Sequence, residues 1–111
     1  MTKNNIIRKV LLTQTIPTKN VRTVDIREIT FNPGQIAGYY KHPCPVFGVI
    51  LEGEALFQVE GEKELNLRAG DAFYEPENSL IIHFDNASGV KQMKFVACYL
   101  INNETQLIEM L

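Results

Sequence analysis

The chain has 111 residues, 45% of them hydrophobic, and a formal net charge of −2, with a pI near 5.6. That length suits one domain, read as 1–111, and the composition is that of an ordinary globular protein rather than a disordered or fibrous one. Lys3, Arg8, Lys9, Lys19, Arg22 and Arg27 are scattered, without the basic block that would point to nucleic acid or an anionic membrane as a partner. No apolar run reaches the ~20 residues of a transmembrane helix, and the stretch from Met1 to Lys9 has no signal-peptide h-region or cleavage site. The expected location is the cytoplasm, where Cys44 and Cys98 are reduced thiols.

In chain order, an N-terminal arm over residues 1–20 carries Ile6, Ile7, Val10, Leu11 and Leu12. A free tail would not carry so many large apolar residues, and the arm is expected to pack on its own barrel or on a partner's. From Val21 to Phe31 the chain reads as a strand whose apolar phase changes once, between Ile26 and Ile29, which suggests a bulge. Turn signals then recur at short intervals, at Asn32 to Gly34, Pro43 to Pro45, Glu52 to Glu54, Glu60 to Glu62, Ala69 to Asp71, Pro76 to Asn78 and Asn86 to Gly89.

The segments between these turns alternate with period two. Ala55, Phe57 and Val59 share one face, against Leu56, Gln58 and Glu60. Leu65 and Leu67 share a face. In a regular strand Ile81, His83 and Asp85 would lie opposite Ile82, Phe84 and Asn86. Phe95, Ala97, Tyr99 and Ile101 alternate with Val96, Cys98 and Leu100, so this strand is apolar on both faces and expected to be covered on both. The tail from Thr105 to Leu111 fits either a strand or one helical turn. Many short strands at this spacing predict an all-β sandwich or barrel.

From Pro33 to Leu100 the chain resembles the small single-domain cupins. Gly34 is followed at cupin spacing by Tyr40, Lys41 and His42, and the run from His42 to Gly53 follows the first cupin motif closely. Gly70, Asp71, Pro76 and Asn86 fall at positions of the second motif. The resemblance implies a cupin-type double-stranded β-helix, or jelly-roll barrel, with core motifs at 33–100. It also implies a homodimer, often formed by exchange of an N-terminal strand. Cupins usually hold a metal on histidines, yet here Tyr40 takes the first histidine position, Val46 the glutamate position and Ile81 the second-motif histidine position. Of the expected ligands only His42 remains.

Three functions stay open on these residues. The first is binding of a small molecule, without a tightly bound metal, in a cavity lined by Tyr40, His42, Val46, Gln58, Ile81 and His83. The second is a dioxygenase or isomerase holding Fe, Mn, Zn or Ni on His42 and His83 with Gln58 or Tyr40, because a catalytic metal needs about three protein ligands. The third is a metal-free isomerase or epimerase with His42 as base and Tyr40 as acid. The cavity could also be filled by its own side chains. Glu75 and Glu77 flank Pro76 at a turn and are expected to form a solvated acidic rim.

Overall fold

The computed structural model describes residues 5–111; residues 1–4, the start of the predicted arm, lie outside that range. The described chain is all β, as the spacing of its turns predicts. Its strands are β1 (Thr23–Phe31), β2 (Tyr40–Lys41), β3 (Val46–Glu52), β4 (Glu54–Val59), β5 (Leu65–Arg68), β6 (Ala72–Glu75), β7 (Ile81–Asn86), β8 (Met93–Ile101) and β9 (Glu109–Met110). They form two antiparallel sheets, a four-stranded one in the order β1-β8-β3-β6 and a five-stranded one in the order β5-β4-β7-β2-β9. The predicted jelly roll is this pair of packed sheets. Among the described residues there is no helix long and apolar enough to cross a membrane.

The turns form where the sequence permits unusual backbone. Gly53, between β3 and β4, sits at φ +82°, and a Cβ there would lie 2.7 Å from the Gln92 carbonyl oxygen. After Pro76 the chain reverses through Asn78 at φ 59°, a conformation that Asn tolerates better than most residues. Asn86 closes the second motif structurally. Its Nδ2 donates to the carbonyls of Asn32 and Lys91, and its Oδ1 accepts from Ser88 N–H.

The core lies between the sheets. Phe57, Phe73, Phe84 and Phe95 pack edge-on or tilted, with neighbouring ring centroids 4.6–5.9 Å apart. Burying each such ring contributes on the order of 1.5–3 kcal/mol. Room for the Phe73 ring comes from Gly48 on β3, where a Cβ would stand only 2.2 Å from it.

The register corrects two expectations and settles one that was left open. β1 pairs with β8 from Thr23↔Ile101 to Phe31↔Met93 with no shift, so the expected bulge is absent. The apolar phase changes because Ile29 and Phe31 pack against the core while Val24 and Ile26 point to the other face of the sheet. The bulge falls in β7 instead. Gln58 pairs with His83 and Val59 with Ile81, so Ile82 is an extra residue that reverses the alternation. Phe84 therefore points into the core with Ile81, and His83 points away from it. The undecided tail ends as a strand: β9 pairs with β2, Tyr40↔Met110 and Lys41↔Glu109.

Candidate functional site

Tyr40 and His42 come from β2 and the turn after it, between β7 and β9. Across the sandwich, β6 ends at Glu75, two residues after Phe73 and on the same buried face. Glu75 is 3% exposed, so it is not part of a solvated acidic rim. It lies beside Val46 in the ladder, and Pro76 starts the turn only after the carboxylate is already inside. Glu77 remains at the surface, where Lys19 bridges it and Glu104.

The three side chains form one buried chain. The Tyr40 hydroxyl donates to Glu75 Oε2 at 2.5 Å. His42 Nε2 lies 3.1 Å from Glu75 Oε1, and His42 Nδ1 lies 2.6 Å from the Leu107 carbonyl oxygen. A backbone carbonyl can only accept, so Nδ1 carries a proton. Nε2 then faces a carboxylate, and one further proton must lie between them. The arrangement is satisfied by an imidazolium against a carboxylate. Burial, the largest influence on His42, pushes its pKa down, but the hydrogen bond and charge of Glu75 and the Leu107 carbonyl together raise it above its ordinary value of 6.5. Tyr40 moves strongly upward, from burial first and then from the Glu75 charge, so the phenol keeps its proton. The rings of Tyr40 and Tyr99 meet the imidazole nearly edge-on, at 5.1 and 5.5 Å between centroids.

This chain forms one wall of a cavity of about 170 Å³. The remaining wall is mostly apolar, from Ile29, Phe31, Phe84, Phe95, Ala97 and Ile108. Tyr99 also lines it. Its pKa is pushed up to about 12, chiefly by burial and next by the Glu75 charge. Among the described residues no hydrogen bond engages its hydroxyl. Larger grooves lie along the N-terminal arm and the strand edges, but none of them holds a buried titratable cluster.

Of the residues expected at the site, Tyr40 and His42 line the cavity and meet through Glu75. Val46 and Ile81 are fully buried in the core behind it rather than on its surface. Gln58 and His83 do not reach it: the regular alternation of β4 places Gln58 opposite buried Phe57 and Val59, and the β7 bulge turns His83 to the same outer face of the second sheet. There Gln58 Nε2 donates to the Glu62 carbonyl at 3.0 Å, and His83 Nδ1 lies 2.8 Å from Asp85 Oδ2. Glu75, Leu107, Tyr99 and Ile108 were not among the expected site residues. Only Glu75 had a signal, its period-two relation to Phe73.

The sequence model of the cupin domain matches residues 27–99. The chain belongs to the cupin family. No curated protein sequence matches it. Among solved structures, this cupin is similar to the DMSP lyase DddQ from Ruegeria pomeroyi, with a TM-score of 0.68 and 21% identity over 78% of this chain and 42% of that one. It is also similar to an oxalate oxidase in complex with the substrate analogue glycolate, with a TM-score of 0.67 and 22% identity over 79% and 46% of the two chains. An uncharacterised double-stranded β-helix protein from Klebsiella pneumoniae gives a TM-score of 0.63 and 20% identity over 78% and 75%. The chain spans less than half the length of the lyase and oxidase structures. At these identities the likeness is one of fold.

The metal usual in cupins does not fit the residues present. Among the described residues no three of His, Cys, Asp and Glu are grouped to share an ion. Both nitrogens of His42 are engaged, and His83 is on the wrong face of its strand.

Proposed function

We propose that this cupin binds a compact, largely apolar small molecule in the barrel cavity without a resident metal. The reading is carried by the apolar cavity of about 170 Å³, whose polar wall, Tyr40, Glu75 and His42, is already paired with itself. A dry apolar cavity of roughly 150 Å³ holds a benzene-sized molecule. The Tyr99 hydroxyl is the polar group left to orient such a ligand, as expected of pockets that bind by apolar area and few polar contacts. Phenol, a ring of that size with one hydroxyl, is a suitable probe. Titration should give saturable amide shifts at Ala97 and Tyr99, weakened in Tyr99→Phe and abolished when Ala97→Leu fills the cavity. Non-saturable shifts, or shifts unchanged by Ala97→Leu, would sink the reading. One iron, manganese, zinc or nickel per purified chain, lost in His42→Ala, would overturn its metal-free part.

The buried Tyr40–Glu75–His42 chain favours one second reading, a metal-free acid–base isomerase. Glu75 stands between the two groups and holds both, so proton movement from Tyr40 to His42 would run through its carboxylate. Turnover of any substrate that survives chelator treatment and is lost in Glu75→Gln would favour it.

A further inference from the structure

We infer that the tail from Thr105 to Leu111 is a lid over the cavity mouth, lifting to admit the ligand and closing on it through Leu107 and Ile108. The inference rests on the small-molecule binding proposed above and says how that site is entered. The other walls of the cavity are tied down by extended pairing. Ile29 and Phe31 stand on β1, whose nine residues all pair with β8. Phe95, Ala97 and Tyr99 stand on β8, which is paired along both edges. Phe84 is on β7, paired with β4 along its length. The loop that carries Ala37 is pinned to β7 three times. Ala37 N–H donates to Asp85 Oδ1 at 3.2 Å, Ile36 forms a bridge with Asp85, and Asn86 N–H donates to the Gln35 carbonyl.

The tail is held differently. Its last firm anchor is Glu104, whose carboxylate takes Lys19 Nζ at 2.7 Å and the Asn102 N–H. Thr105 and Gln106 follow, exposed and, among the described residues, without a backbone hydrogen bond, which makes them the hinge. Beyond them β9 has two residues, paired with β2 alone, and the Leu111 N–H donates to the Tyr39 carbonyl at 3.0 Å. Met110 and Leu111 are 57% and 65% exposed, so little buried apolar area holds this strand down. Segments with few buried contacts and exposed backbone bonds open at far lower cost than the whole fold. Between hinge and β9 the tail reaches the site. Leu107 packs against the core, and its carbonyl accepts from His42 Nδ1. Ile108 lines the cavity yet is 44% exposed, which puts it at the mouth, between the edge strands β1 and β9 where no ladder joins the two sheets. With the tail raised, water replaces the Leu107 carbonyl as acceptor for His42, so this latch is exchanged rather than lost.

A tether between β2 and β9 tests the lid. Lys41 and Glu109 face each other in the ladder, at an antiparallel spacing that suits a disulfide, and neither lines the cavity. In the double variant Lys41→Cys, Glu109→Cys, oxidation should slow both association and dissociation of phenol about tenfold or more relative to the reduced form. The rates are read by relaxation dispersion at the Ala97 amide, and the dissociation constant should change less than about twofold. In the wild type, saturating phenol should slow hydrogen exchange of the Leu111 amide about fivefold or more, which keeps the test valid if the double variant does not fold. Equal rates in oxidised and reduced protein with phenol bound to both would overturn the lid and leave the cavity reading standing. So would Leu111 exchange indifferent to bound phenol. Phenol that binds neither the wild type nor the variant would overturn both readings.

Discussion

His42 Nε2 and Glu75 Oε1 stand 3.1 Å apart with both side chains shielded from solvent, and each has its other polar atom taken, by Leu107 and by Tyr40. Taking two such groups out of water is costly, and only complete pairing offsets the cost. The C-terminal tail thus belongs to the site, because Leu107 supplies the acceptor that fixes the imidazole tautomer.

Removing one partner should expose that cost. Glu75→Ala leaves a buried imidazole and a phenol without their acceptor, and a loss of about 3–5 kcal/mol is expected. Urea denaturation of wild type and variant measures it. A loss below about 1 kcal/mol would mean that water reaches the pair.

Tyr40→Phe deletes one charge-assisted hydrogen bond and leaves the ring in place. The expected loss is about 1.5–3 kcal/mol, again from denaturant midpoints, with the His42–Glu75 contact retained. A neutral outcome would place the Glu75 charge elsewhere than opposite Tyr40.

The pH dependence follows from His42. Its folded pKa is raised above 6.5, so the folded state holds its proton more tightly than the unfolded one. The stabilisation is complete below about pH 6.5 and is lost as pH rises through the folded value. An NMR titration of the His42 ring should show a midpoint above 6.5, falling in Glu75→Gln. A midpoint at or below 6.5 in wild type would move the shared proton onto Glu75.

Phe84 and His83 are neighbours in sequence on opposite faces of β7. Phe84→Ala removes a ring packed against Phe57, Phe73 and Phe95 and should cost about 3–5 kcal/mol. His83→Ala breaks a partly exposed pairing with Asp85 and should cost under about 1 kcal/mol. Comparable losses would contradict the β7 register.

Much of the fold was legible because its determinants are local. Glycine and asparagine mark the backbone that needs positive φ at Gly53 and Asn78, and period-two alternation assigns faces wherever a strand stays regular, as in β4 and β8. The same local signals placed Tyr40 and His42 side by side. They misplaced His83 because a bulge is set by how β7 fits against β4, and a single extra residue inverts every side chain beyond it.

Glu75 shows the same division. By itself the sequence determined an all-β cupin with one retained motif histidine, since turns and alternation depend on residues close in the chain. Only the tertiary structure decided that the carboxylate next to Pro76 lies inside, that residues 33 and 35 positions apart in sequence converge on it, and that the tail provides Leu107. A buried charge is stable only where distant strands bring every partner it needs.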